Sequence, residues 1–448
     1  MKRWPLRELL LAIGTLSVAS TVALSQSQAG ETEHTPNIRT EVLQVLVPVV
    51  VTDKKGYYVT DLKASDFQVF EDGDPETIVA FSTSVDRTAS ASVAQEAQQT
   101  NGSKAISPTP VKGGSLRETY LVVVDTLHSS LANFTRARNA LTKFFQQEHS
   151  NDSQYALMAV GRQIQAIHDS TRDPGVVLAA LHSKSFQKMI HDSESSNTAF
   201  EAGRFTTLVD QYCKSCGCQT VLQDPSEAPF CATRTGMVQA FLTRFGERTY
   251  LLNEEFLRQV NRLVRSAASM PTSRTVIFLS DGFNRFPGQE LYGILQGFGP
   301  NTNSFSFNPR DTQPELETVL RIASKYNVKF YTLDSRGLYT SASFDGGSLD
   351  VSHWGVTPQA VDRQMMPIAR ENTDVLAELA HQTGGFFFEN NNDLLKGIRK
   401  AFADNRESYV LTYVPTNKKL DGKYRAIRVK VNGKGLVVNA KAGYWAIQ

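Results

Sequence analysis

The chain has 448 residues, 41% of them apolar, and a formal charge of +2. That length accommodates two or three domains of about 100–200 residues each, and the apolar share is enough for a packed core. A near-neutral balance without a basic tract gives no basis for nucleic-acid binding, and no glycine loop of the kind that cradles phosphates is present, which disfavours nucleotide use.

Lys2, Arg3 and Arg7 form a basic start, Leu9 to Leu24 is largely apolar, and Ser27-Gln-Ala29 offers small residues where a signal peptidase cuts. Residues 1–29 therefore read as a cleavable secretory signal. A retained anchor is the rival reading, but Gly14, Thr15, Ser17, Ser20 and Thr21 interrupt a run already short for a span of about 20 residues. Cleavage takes the net charge to about zero and leaves no later segment apolar enough to span a membrane. The expected location is outside the cytoplasm: periplasmic, envelope-associated or extracellular.

Residues 38–84 carry strand and turn chemistry: Thr40 to Val51, then Phe67-Gln-Val-Phe70 followed by Glu71-Asp-Gly73. Residues 85–115 shift to Ser, Ala, Gln, Thr and Pro, with little to bury, and read as a flexible linker. From 116 to 404 the character changes again. Tyr120 to Val124, Tyr155 to Val160, Thr275 to Leu279, Val328 to Leu333 and Gly385 to Phe388 are apolar, β-branched or aromatic runs of the sort that form strands covered on both faces. Helical stretches lie between them: Leu131 to Gln147, Pro174 to Leu181, Gly246 to Ser269, Pro314 to Lys325, Asp374 to Gln382 and Asn392 to Ala403. Such alternation predicts an α/β domain with an open, doubly wound, mostly parallel sheet. Two long loops, Asn284 to Gln313 and Ser335 to Glu371, leave its carboxyl edge, where ligands of open α/β sheets bind. Residues 183–233 form a further insertion. Tyr409 to Val414, Tyr424 to Val431 and Leu436 to Lys441, within 405–448, are strands predicted to pair with 38–84 in a small β-sandwich built from both termini.

All 4 cysteines, Cys213, Cys216, Cys218 and Cys231, fall in the insertion. In an oxidising compartment a clustered, even set points to two disulfides. Zinc is the alternative, since Cys213 and Cys216 have ligand-pair spacing, but Cys216 and Cys218 are too close for an ordinary second pair. The pairing itself is not legible.

The first major strand delivers Asp125-Thr-Leu-His-Ser-Ser130 to the carboxyl edge, and a later one delivers Ser280-Asp-Gly282 there. Two carboxylates and a hydroxyl in one crevice suit a hard cation such as Mg²⁺, or Ca²⁺ or Mn²⁺. The alternative is that Asp125 and Asp281 only cap the turns or helices that follow their strands.

These residues resemble the metal-ion-dependent adhesion site of the von Willebrand factor A domain, of the form Asp-x-Ser-x-Ser, then a Thr, then a late Asp. On that resemblance Asp125 matches the first Asp, Ser129 the second Ser and Asp281 the late Asp. Leu127 stands where the first Ser belongs, and an aliphatic side chain cannot ligate a metal. Thr233, in Thr233-Arg-Thr-Gly236, matches the Thr, with Thr235 as the fallback, while His128 and Ser130 are candidate replacement ligands. Val47-Pro-Val-Val-Val-Thr-Asp-Lys-Lys-Gly56, Asp66-Phe-Gln-Val-Phe-Glu-Asp-Gly73, Ser273-Arg-Thr-Val-Ile-Phe-Leu-Ser-Asp-Gly282, Tyr331-Thr-Leu-Asp-Ser-Arg-Gly337 and Ala442-Gly-Tyr444 extend the likeness over most of the mature chain. Together they resemble the exported von Willebrand A-related proteins abundant in Acidobacteria. The resemblance implies a non-enzymatic binding or adhesion-type protein, its cation held by Asp125, Ser129, Thr233 and Asp281 and completed by an acidic side chain of a protein partner. A metal-independent envelope scaffold is the second expectation. A hydrolase using Asp125 and His128 is the least favoured, because no nucleophile or oxyanion donor is evident. His168-Asp169 and Ser170 also tempt a hydrolase reading, but no Gly-x-Ser-x-Gly elbow is present. Asp334-Ser-Arg336 reads as an ion pair fixing a loop.

Overall fold

The computed structural model describes residues 44–83, 119–150, 153–191, 194–218, 224–269, 274–338 and 358–447. The signal expected at 1–29 and the linker expected at 85–115 lie outside the described residues. In chain order come β1 (Val45–Asp53), β2 (Phe67–Glu71), β3 (Asp74–Glu76) and β4 (Ile78–Ser82). There follow β5 (Thr119–Asp125), α1 (Leu131–Gln147), β6 (Gln154–Val160), β7 (Ile164–Thr171), α2 (Pro174–Leu181), α3 (Lys184–His191), α4 (Glu194–Cys216) and α5 (Cys231–Ala268). Next are β8 (Thr275–Ser280), α6 (Gln289–Gly297), α7 (Gln313–Tyr326), β9 (Lys329–Asp334), α8 (Pro358–Thr383), β10 (Phe387–Phe388) and α9 (Leu394–Arg406). The chain closes with β11 (Tyr409–Tyr413), β12 (Tyr424–Val431), β13 (Leu436–Ala440) and β14 (Gly443–Trp445).

Every residue of β5 is buried, and its side chains alternate between two cores. Tyr120, Val122 and Val124 pack with Phe134, Leu141 and Phe145 of α1 and Ile398 of α9. Leu121 and Val123 face the other way, onto Leu257, Val260 and Val264 of α5, Leu320 of α7 and Leu376 of α8. Helices on both faces explain why β5, β8 and β9 are apolar throughout rather than alternating. The strand order of the sheet is β10-β9-β8-β5-β6-β7. All neighbours are parallel except β6 and β7. The chain builds outward from β5 through β6 to β7, then returns to the other side of β5 as β8. The order therefore reverses between β5 and β8, which makes their carboxyl ends the topological switch point of the sheet.

The mixed α/β class expected from the sequence is present, with four local departures, one of them that α8 begins at Pro358, inside the loop expected from Ser335 to Glu371. β7 is an antiparallel edge strand; its polar residues, Gln165, His168, Asp169 and Ser170, leave no residue of the strand fully buried, so no apolar run marked it. The loop from Asn284 to Gln313 contains α6 and a 3-10 turn at Pro300–Ser304. Finally, α5 begins at Cys231, fifteen residues before Gly246, and is 38 residues long. Its early turns bury Val238, Phe241 and Leu242 against Phe205, Val209 and Tyr212 of α4 and Leu291 and Leu295 of α6. The cysteine-bearing insertion and the following loop thus share a third core.

The remaining strands form two antiparallel sheets, β13-β1-β11-β4 and β14-β12-β2-β3. Val47 and Val49 of β1, Phe67 and Val69 of β2, and Tyr409 and Leu411 of β11 share one core. Each sheet draws strands from both ends of the chain. Among the described residues no helix is long and apolar enough to cross a membrane.

Candidate functional site

Asp125 ends β5 and Ser280 ends β8, so strand pairing alone places both at the switch point. The Asp125 side chain is fully buried and accepts four hydrogen bonds. Its Oδ1 takes the backbone N–H groups of Leu127 (2.9 Å) and His128 (3.0 Å), and its Oδ2 takes the Ser280 hydroxyl (2.6 Å) and His128 Nδ1 (2.9 Å). The other ring nitrogen of His128, Nε2, lies 3.1 Å from Oδ1 of Asn253 in α5. Asn253 Nδ2 donates to the Asn284 carbonyl at 3.4 Å, which turns Oδ1 toward the imidazole. Both ring nitrogens therefore lie within hydrogen-bond reach of side-chain oxygens. The imidazole sits in an aromatic slot, stacked on Phe283 at 4.7 Å and edge-on to Phe256 at 4.6 Å.

Asp281 is on the other side of the switch point. Its Oδ2 accepts from the Ser130 backbone (2.9 Å) and from Asn133 Nδ2 (2.8 Å), while its buried Oδ1 has no protein partner. Burial pushes its carboxyl up to about 7, against the lowering effect of those two hydrogen bonds. Asn133 is held in turn by Arg136 at 2.9 Å. Arg136 also donates to the carbonyls of Ser335 and Arg336. Arg336 makes a two-pronged pair with Asp334, both contacts 2.9 Å, so this ion pair fixes the turn after β9. Gly282 is required as glycine: its φ is +74° and a Cβ there would lie 2.0 Å from the Asn372 carbonyl oxygen of α8.

Asp125, Ser129 and Asp281 thus reach one edge, and Thr233 does not. Thr233 is exposed in the first turn of α5, twenty residues before Asn253. At 1.5 Å of rise per residue that is roughly 30 Å along the helix. The fallback, Thr235, donates to the Cys231 carbonyl instead. Leu127 is 3% exposed and belongs to the second core, and Ser130 caps α1 by accepting from Asn133 N. A carboxylate has about four lone-pair positions, and all four of Asp125 are met from within the chain. What remains is Asp281 Oδ1, too few oxygens for a cation that takes six or more. As arranged, these residues do not fit the cation site that the resemblance implied.

Beside His128 lies a cavity of about 210 Å³. Phe245, Leu252, Phe283 and Pro287 give it apolar walls, and Asn253, Asn284, Glu290 and Asn372 contribute polar groups. Burial pushes the Glu290 carboxyl up to about 7, partly offset by backbone N–H donors that include Gly288. Asn253 is the site residue that sequence reasoning missed. Its signal was a polar residue on the apolar stripe of Tyr250, Phe256, Leu257 and Val260.

Elsewhere, Ser170 donates to the Gln154 side chain on the exposed face of β7, and His168 contacts the Asp169 carbonyl, so these residues form no catalytic set. Phe386 and Phe388 pack against the first core. The cysteines form two disulfides, Cys213–Cys218 and Cys216–Cys231, which removes them as zinc ligands and fits an oxidising compartment.

No protein-family model matches the chain, and no curated protein matches it. Solved structures similar to it include an aerotolerance-related membrane protein from Bacteroides fragilis, at 10% identity and TM-score 0.30, covering 64% of this chain and 98% of that one. The pilus adhesin SpaC from Lactobacillus rhamnosus GG is 9% identical with TM-score 0.30, over 73% of this chain and 37% of its own. The PilB minor pilin from Streptococcus sanguinis is 10% identical with TM-score 0.27, over 67% and 62%. Likenesses at these scores identify no family.

Proposed function

We propose that this chain is an exported, non-enzymatic protein that binds a protein partner at the carboxyl edge of its six-stranded sheet, with no metal ion in the contact. The observation that carries this reading is the cavity at the switch point, next to a histidine whose ring nitrogens are both engaged. A general base must offer a free nitrogen to the proton it removes, and His128 offers Nε2 to Asn253. Saturation of Asp125 supports the metal-free form. The cation-mediated form, with Asp125, Ser129 and Asp281 around Mg²⁺, has one observation in its favour, the unpartnered Asp281 Oδ1, and it requires His128 to leave Asp125.

The test compares capture of partner from the envelope fraction of the source cells by the mature protein and three exposed variants. Leu338→Glu and Arg248→Glu alter the edge, and Tyr57→Glu alters a sandwich turn. The expected result is loss of one and the same captured protein with both edge variants, and unchanged capture with Tyr57→Glu and with EDTA. Capture that ignores the edge variants removes the reading, and capture abolished by EDTA replaces it with the cation-mediated form.

A further inference from the structure

In the sandwich, β3 stops short of its neighbour's full length. It pairs with Val69, Phe70 and Glu71 of β2, and after Glu76 the chain crosses to the other sheet, where Ile78 of β4 meets Tyr413 of β11. Among the described residues, Phe67 and Gln68 therefore have β12 on one side and no strand on the other. In that gap lies a groove of about 590 Å³, with Ser65, Phe67, Phe70, Pro75 and Ile78 in its lining. Neighbouring residues of a strand point to opposite faces, and the two sides of the groove differ accordingly. Phe67 and Val69 face the core shared by the two sheets, and Ile78 packs against it. Gln68 and Phe70 lie opposite Lys430 and Arg428 of β12 on the outer face. Both cations are exposed, and neither forms an ion pair among the described residues. Lys430 Nζ is 4.8 Å from the centre of the Phe70 ring, which places it at the rim of the groove. Glu76, also in the lining, is already engaged: the N–H and hydroxyl of Thr416 donate to its two oxygens at 3.0 and 2.9 Å. The groove thus joins an apolar inner side, a cationic outer side and an open strand edge.

We infer that this groove takes a short extended segment of a partner protein whose residues alternate apolar and acidic, added beside β2 in line with β3. Its apolar side chains extend the core at Phe67, Val69 and Ile78, and its carboxylate meets Lys430 and Arg428. An extended chain supplies that alternation through its own period of two, and strand addition at an open edge is an established way of holding a peptide. A segment alternating apolar and basic residues sets like charges together. A wholly polar one leaves the inner side uncovered. This surface belongs to the sandwich and is independent of the reading of the carboxyl edge.

The experiment follows the fluorescence anisotropy of three labelled, amide-capped pentapeptides mixed with the full mature chain at low salt: Thr-Val-Glu-Val-Thr, Thr-Val-Lys-Val-Thr and Thr-Ser-Glu-Ser-Thr. The first is expected to bind. The second should bind at least about fivefold more weakly, because an ion pair is exchanged for a repulsion that little salt screens. The third should be weakened at least as much, because its side chains bury no apolar surface. Lys430→Glu should reverse the order of the first two peptides, and Ser65→Trp, which fills the groove, should abolish binding of all three. Both positions are exposed, so both variants keep the fold. No binding of the first peptide, equal binding of the three, an order that survives Lys430→Glu, or binding that survives Ser65→Trp overturns the inference. A chain that ignores the peptides but sediments with phosphatidylglycerol vesicles, and ceases to do so as Lys430→Glu, overturns it in favour of a membrane surface. Each of these outcomes leaves the carboxyl edge to its own variants at Leu338 and Arg248.

Discussion

His128 Nδ1 lies 2.9 Å from Asp125 Oδ2, and the carboxylate it meets is fully buried. The two residues are three apart, so the segment leaving β5 folds back on the strand's own last residue. A carboxylate oxygen that a metal could have used is engaged by an imidazole from the same loop. Asn253 and the rings of Phe256 and Phe283 then hold that imidazole in place.

Replacing His128 with Ala should therefore cost on the order of 1–3 kcal/mol, the usual effect of leaving a buried hydrogen-bonding group without its partner. Urea unfolding at neutral pH measures it. A second arm repeats the melts in saturating Mg²⁺ and in EDTA. The wild-type midpoint should be the same in both. A wild-type midpoint raised by Mg²⁺ would sink the account of Asp125 as already satisfied.

Asp281 predicts a pH dependence of opposite sense to that of an ordinary ion-paired carboxylate. Its folded-state value, about 7, is raised above the unfolded 3.8, so the folded chain holds the proton more tightly. The associated stability is fully present below the unfolded value and is lost as pH rises through about 7. Glu290, raised from 4.5 to about 7, adds in the same direction. Asp281→Asn retains an oxygen for Ser130 N–H and Asn133 and removes the charge. It should be more stable than the wild type at pH 8 by up to about 4 kcal/mol, at 1.36 kcal/mol per unit, and similar near pH 4. A variant less stable than the wild type at pH 8 would show that Asp281 Oδ1 has a cationic partner.

Much of the sheet was legible because burial on both faces writes itself as an apolar run, as in Tyr120 to Val124 and Thr275 to Leu279. The helices over Leu131–Gln147 and Pro174–Leu181 were legible too, at the bounds the structure gives them, where Ser130 and Asp173 turn out to cap them. β7 was not, since an edge strand with a solvated face has no such run. Thr233 was misplaced because its Thr-Arg-Thr-Gly pattern is local, whereas its position is set by where a 38-residue helix starts. At the site, Asp125 and Asp281 were legible as strand-end carboxylates. Their difference was not: one is saturated by nearby His128 together with Ser280, the other is left with a bare oxygen, and each depends in part on groups distant in sequence, Ser280 for Asp125 and Ser130 and Asn133 for Asp281.

The disulfides should stabilise one part of the molecule. Cys216–Cys231 joins the end of α4 to the first residue of α5, a separation of 15, and a loop of about that length contributes roughly 3 kcal/mol when cross-linked. Because this core is separate from those flanking the sheet, Cys216→Ser with Cys231→Ser should raise hydrogen exchange in α4 and the early turns of α5. Exchange in β5 and β8 should stay unchanged. A uniform rise along the chain would mean that the insertion and the sheet unfold as one unit.

Restoring the serine that the adhesion-site pattern expects should not restore a cation site. Leu127 is packed in the second core with Val160, Phe256 and Phe283 as fellow members. Leu127→Ser removes that packing and buries a hydroxyl, at a cost on the order of 2–5 kcal/mol by analogy with buried Leu→Ala changes. Asp125 would still be held by His128, Ser280 and two backbone N–H groups, so Mg²⁺ should not offset the loss. Leu127→Ser combined with His128→Ser frees one lone pair of Asp125 Oδ2 and supplies two hydroxyls near it. This double variant is where a gain of stability with Mg²⁺ is expected, read as a shift of the urea midpoint. A gain already present in Leu127→Ser alone would show that the leucine, rather than the histidine, is what excludes the ion.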